Sequence, residues 1–208
     1  MTRRCALLLW PGAAPSAAAP PGIDPVAYAG ALFEDVAEVL HGLAGVDTLV
    51  VCPAGESSSA GPFLWPDVPV VESAPPSVRA AVRIAQERGY DHAAVVAADA
   101  PDLPQLVLAK VFQALAGSPV VVAGAEPAGA VAVGVALPAP AWLPLIDIDD
   151  RAVIEGLRAA ASDPAQVELT PGWHRMRGQA DVHRLDPGLE GWEATRRLLG
   201  GLRSPQGA

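Results

Sequence analysis

Short, unbroken apolar runs, each closed by a proline or an aspartate, restrict the fold of this chain more than any other feature. Cys5–Trp10 ends at Pro11-Gly12, Thr48–Cys52 at Pro53, and His92–Ala98 at Asp99. Runs this short without polar alternation predict strands covered on both faces, as in a parallel sheet. Helical patterns separate them. Over Val26–Leu43, Leu32, Val36, Val39, Leu40 and Leu43 recur at helical spacing, with Glu34, Asp35 and Glu38 on the other side. Asp24-Pro25 supplies that helix with a side-chain cap and a first-turn proline. Pro76–Arg88 predicts a second helix with Val78, Val82 and Ile84 inward and Gly89 beyond its end, and a third runs from Pro104 to about Ala116.

Further along, Val120–Ala125 and Ala130–Leu137 are spaced as a hairpin, and Val70-Val71 makes a minimal strand. Leu143–Ile148 is expected as a strand and Asp150–Ala161 as a helix. After these come a short strand near Val167, a polar loop around Gly172, a strand over Asp181–Leu185, and a last helix over Leu189–Leu202. The expectation is one α/β domain over residues 1–208, with a mainly parallel, mixed sheet and helices on both faces. Ligands of such sheets bind beyond the carboxyl ends of the strands, which directs attention to the loops after Trp10, Ala98 and Ala125.

Composition narrows the function. Half the chain is apolar (51%), so disorder is excluded, and a formal net charge of -9 disfavours nucleic acid and anionic lipid as partners. The start, Arg3-Arg4 and then Cys5–Trp10, imitates a signal peptide, but its apolar core is shorter than the about seven to fifteen residues such a signal needs. No apolar run approaches the roughly twenty residues of a membrane span, so a cytoplasmic protein without a membrane partner is expected. Cys5 and Cys52 lie in apolar runs without ligand spacing and read as buried free thiols.

The segment richest in chemistry is Val95-Val96-Ala97-Ala98-Asp99-Ala100-Pro101-Asp102-Leu103-Pro104. A buried strand here delivers two carboxylates to the active edge of the sheet. Hard cations take such oxygens, and magnesium bound through one or two carboxylates and substrate phosphates fits them. The structural alternative is that Asp102 caps the following helix while Asp99 bonds backbone amides in the turn. Asp147-Ile148-Asp149-Asp150 has an Asp-x-Asp form, with helix capping by Asp150 as its alternative. Gly172-Trp173-His174-Arg175-Met176-Arg177-Gly178 crowds an aromatic ring, an imidazole and two guanidiniums between glycines. Arg175 and Arg177 suit an anion and Trp173 a base or sugar; the alternative is a loop that pairs with the protein's own carboxylates.

The stretch Asp99-Ala100-Pro101-Asp102-Leu103-Pro104 resembles the Asp-x-Pro-x-Leu-Pro region of GT-A-type nucleotidyltransferases, a group that includes the molybdopterin and phospholactate guanylyltransferases. The order of elements over residues 5–137 is similar too. The resemblance implies a GT-A-like architecture, a nucleotide or nucleotide-sugar as ligand, and Mg or Mn held by Asp99. It matches Glu126 and Gly129 to an acidic, glycine-rich stretch after the fifth strand, and Asp181-Val182-His183 to an Asp-Val-Asp near the end, with His183 in place of an aspartate. The chain departs from the group in its first loop: Trp10–Ile23 holds neither Lys nor Arg, so only backbone amides near Gly12 and Gly22 remain for phosphate.

Asp99 and Asp102 are therefore the candidate catalytic residues. Gly12, Glu126, Trp173, His174, Arg175 and Arg177 are candidates for substrate binding, and Asp99, Asp181 and His183 for metal. A metal-dependent nucleotidyl or glycosyl transferase is one reading. A catalytically silent module of the same fold, lacking the cations of the first loop, is the other.

Overall fold

The computed structural model describes residues 2–11 and 16–200. Its centre is one seven-stranded sheet in the order β3-β2-β1-β4-β6-β5-β7, built from β1 (Arg4–Leu9), β2 (Asp47–Cys52), β3 (Val70–Glu72), β4 (His92–Val96), β5 (Val120–Glu126), β6 (Ala130–Ala136) and β7 (Val167–His174). Only β6 runs antiparallel to its neighbours, β4 and β5; the other pairings are parallel. The apolar runs of β1, β2 and β4 are continuous because these strands lie inside the sheet, and Cys5–Leu8, Val50–Cys52 and Ala93–Val96 are essentially inaccessible. Burying each such valine or leucine contributes about 1.5–3 kcal/mol.

Helices α1 (Pro25–His41), α2 (Ser57–Ala60), α3 (Val78–Glu87), α4 (Gln105–Ala114), α5 (Val153–Ala160) and α6 (Glu193–Gly200) flank this sheet. The Asp24 carboxylate caps α1 by accepting from Ala27 N at 2.7 Å, with Pro25 in the first turn, as expected. Ser77 caps α3 through Ala80 N at 3.2 Å. Among the described residues no helix is long and apolar enough to cross a membrane.

Three local expectations are corrected. Leu143–Ile148 is irregular: Leu143, Ile146 and Ile148 pack on the core, Leu145 is exposed, and the Ile148 carbonyl accepts from Ala130 N at 2.9 Å without a strand forming. Asp181–Leu185 is not a strand, because Gln179–Arg184 forms a 3-10 helix whose start is held by the Asp181 carboxylate. The loop expected around Gly172 belongs to β7. That strand carries one residue more than β5 between matched positions: Ala123 pairs with Thr170, and Ala125 with Trp173. This bulge brings backbones so close that a Cβ at Gly172 would sit 2.0 Å from the Gly124 carbonyl oxygen. Glycine at 172 is thus a condition of the bulge, and the bulge sets which way residues 173–175 face.

Candidate active site at the carboxyl edge of the sheet

Strands β2 and β4 lie on opposite sides of β1, so the chain reverses its direction of winding between β1 and β4. A crevice opens at such a reversal. Here it is a cleft of about 540 Å³ lined by Leu9 and Pro11 after β1, Ala98 and Asp99 after β4, Ala29 and Leu32 of α1, Pro76–Val78 at the start of α3, the segment Ile146–Asp149, Ser16, and Arg175 with Met176 beyond β7. Part of its lining is apolar. The charged part is Asp99, Asp147, Asp149 and Arg175.

Arg175 organises the charged part. Its side chain is only 5% exposed, and its Nε and Nη2 donate to the two oxygens of Asp99 at 2.5 and 2.9 Å. Nη1 lies 2.7 Å from Asp149 Oδ1 and donates to the carbonyl of Ala130 at 3.0 Å and, more weakly, to that of Ile148 at 3.4 Å. Burial works against the charged guanidinium, but Asp99 and Asp149 outweigh it and hold its pKa above the ordinary arginine value. Arg177 also donates to Asp149, from the rim of the cleft. The Ile148 and Asp149 backbone reaches this place because residue 129 is glycine: at φ +90° a Cβ there would stand 2.9 Å from the Ile148 carbonyl oxygen.

Asp102 has a different task. It is 3% exposed and lies outside the cleft lining. Its Oδ1 accepts from the Trp173 indole at 3.0 Å and its Oδ2 from the Asp186 amide at 3.3 Å. His174 Nε2 is 3.0 Å from the same Oδ1 without an aligned hydrogen bond, and its ring stacks on Trp173 at 4.9 Å. Asp102 therefore fixes Trp173, on which His174 stacks, and Asp99 fixes Arg175. Met176 N donates to the Asp99 carbonyl at 2.7 Å, which closes the same junction through the backbone. Asp102 caps no helix, since α4 begins after Pro104 without a side-chain cap.

The other expected residues are placed as follows. Trp173 and His174 turn toward Asp102 and do not line the cleft. Glu126 is exposed and pairs with Arg184 at 2.9 Å. Asp181 accepts from the amides of Arg177 and Gly178 at 3.0 and 2.7 Å, and His183 is exposed on the 3-10 helix. Gly12 lies outside the described residues. The expected ligand set of Asp99, Asp181 and His183 is not gathered: among the described residues, no three His, Cys, Asp or Glu side chains converge as a metal-binding group. Ser77 and Met176 are not singled out by the sequence, and Asp149 enters there only as part of the Asp-x-Asp cluster, outside the candidate site residues. Asp149 alone had a visible signal, the Asp-x-Asp spacing; its Asp147 holds the turn by accepting from Asp149 N at 2.9 Å.

No family model matches the chain, and no curated protein matches it in sequence. Solved structures do match in fold. A protein assigned as a nucleotide-diphospho-sugar transferase from Desulfovibrio desulfuricans G20 superposes with a TM-score of 0.69 at 16% identity, over 97% of this chain and 95% of that one. A CMP:2-keto-3-deoxy-manno-octonic acid synthetase complexed with CTP gives 0.54 at 9% identity, over 88% and 96% of the two chains. Rv0371c of Mycobacterium tuberculosis H37Rv, in complex with manganese, gives 0.52 at 16% identity, over 96% and 99%. At these identities the likeness is one of fold: the chain has the nucleotide-diphospho-sugar transferase architecture.

Proposed function

We propose that this cleft binds a nucleotide or nucleotide-sugar and that the protein acts as a nucleotidyl or glycosyl transferase. The observation that carries the reading is the pairing, within one crevice at the winding reversal, of an apolar lining with a charged one. Leu9, Ala29, Leu32 and Met176 offer a surface for a flat, weakly polar ring. Pro76–Val78 bring the capped N-terminus of α3 into the same space, where first-turn amides and the helix dipole favour an anion. Arg175 is the cationic side chain among the described residues that line the cleft, whose first loop has none. The neighbours of the same fold include a protein with CTP bound, which supports this choice of ligand.

In this reading Arg175 and the start of α3 bind and orient the phosphates, and the apolar part of the lining excludes water from the ligand. Asp99 keeps the guanidinium fixed at the reacting end, so no reorganisation is needed when charge develops there. Arg175 occupies both oxygens of Asp99, so magnesium or manganese would be held by the oxygens of the polyphosphate itself rather than by a preformed site of the chain. The chemistry the ion supplies is neutralisation of phosphate oxygens.

The test is calorimetric titration with CTP, GTP, ATP and a nucleotide-sugar in the presence of magnesium, on the wild type and on Asp99→Asn. Binding by the wild type that weakens in the variant is the expected result. Absence of binding to every ligand at millimolar concentration would overturn the reading and leave a silent module of this fold.

A further inference from the structure

Two carboxylates and two backbone carbonyls surround one place beside the cleft: Asp99 on one edge of it, and Asp149, 59% exposed, with the oxygens of Ala130 and Ile148 on the other. An all-oxygen set of this kind is what a hard divalent cation selects. The spot is filled by the Arg175 guanidinium, which contacts all four residues. A metal ion cannot share it. Two of the four lone-pair directions of Asp99 are already taken by a fork of donors from a side chain that is 5% exposed, and an ion on the remaining ones would stand against a fixed positive charge.

We propose that Arg175 is the resident cation of this site: its guanidinium occupies the place between Asp99 and Asp149 that a divalent ion would need, so the free protein takes up neither magnesium nor manganese there. The inference goes beyond the nucleotide reading, because it describes the free protein and holds whatever ligand the cleft takes. It also explains how an acidic strand end persists next to a ligand cleft without a metal to neutralise it. Both acids are balanced from within the fold, Asp149 by Arg177 as well. A second consequence is that the affinity of this place for a cation depends on the charge at position 175. Replacing Arg175 by a neutral residue removes that charge and leaves Asp99 without its partner.

The experiment is a manganese titration of the nucleotide-free protein, followed by the electron paramagnetic resonance signal of the hydrated ion. Circular dichroism confirms the fold of each variant. The wild type and Arg175→Lys, which keeps the charge, are expected to leave the signal of the free ion unchanged at millimolar metal. Arg175→Gln is expected to bind one manganese ion at least about tenfold more tightly than the wild type, as the loss of one adjacent positive charge implies. Adding Asp99→Asn to Arg175→Gln should abolish that gain. A folded Arg175→Gln that binds no better than the wild type overturns the proposal. If Arg175→Gln does not fold, the comparison of wild type with Asp99→Asn decides. Manganese uptake by the wild type that Asp99→Asn removes refutes a resident guanidinium, whereas the absence of such uptake upholds it. No nucleotide is present in any arm, so failure of the nucleotide reading leaves this result standing.

Discussion

At the residue scale, Asp99 and Asp102 show how one short segment divides two tasks between identical side chains. Asp99 lines the cleft and holds Arg175; Asp102 is buried outside the cleft lining and holds Trp173, two residues before Arg175. Asp102 is thus a positioning residue. Replacing it with alanine leaves the Trp173 indole N–H and the Asp186 amide without their acceptor in a part-buried place, which costs about 1–3 kcal/mol for each group left unsatisfied. We expect Asp102→Ala to lower the urea midpoint of unfolding and also to weaken any ligand bound through Arg175. Leu106→Ala, at an exposed position on α4, should change neither. An unaltered urea midpoint in Asp102→Ala would sink the positioning role.

At the element scale, the wall of the cleft depends on how the last helix docks. The first-turn amides of α6 at Ala194 and Thr195 donate to the two oxygens of Asp35 on α1, both at 2.8 Å, and this carboxylate is 1% exposed. Burial outweighs these hydrogen bonds and raises the Asp35 pKa to about 6. A carboxyl group raised above its unfolded value of about 3.9 favours the folded state in its protonated form. Its contribution is complete below the unfolded pKa and is lost as pH rises through the folded one, by about 3 kcal/mol in total. Asp35→Asn cannot titrate. The melting temperature of the wild type relative to Asp35→Asn should therefore climb as pH is lowered from about 8 to about 5, and a difference that stays constant across this range would refute the assignment. The same scale shows which elements the sequence could announce. β1, β2 and β4 are buried on both faces, so their residues are uniformly apolar and read at once. β7 is an edge strand with exposed Glu168, Leu169, Pro171 and Gly172, so only its start near Val167 reads as a strand and the rest reads as a loop. Leu143–Ile148 misleads in the opposite direction: it is apolar because Ile146 and Ile148 cover the cleft, and nothing local distinguishes a covering segment from a strand.

At the scale of the whole molecule, the legible part of the site was its location, because alternation of strands and helices fixes where a sheet of this kind opens. The Asp99–Arg175 pair was not legible as a pair, since 76 residues separate its members and β7 lies beyond β6 and β5 from β4 in the sheet. Charge is the property that only the whole molecule has. Fourteen basic residues face 23 acidic ones, and three of the arginines nearest the carboxyl edge, Arg175, Arg177 and Arg184, are paired with Asp99, Asp149 and Glu126. On the proposed reading, an anionic nucleotide approaches against a net negative field and meets favourable groups only at contact. Screening shortens that field from ~30 Å at 0.01 M salt to ~10 Å at 0.1 M, while the buried guanidinium is little affected. The association rate of a nucleotide should accordingly rise with ionic strength over this interval in stopped-flow measurements, the reverse of what a basic, steering site gives. A rate that falls as salt is added would mean that a cationic surface guides the ligand, and the charge argument for an internally balanced cleft would then be wrong.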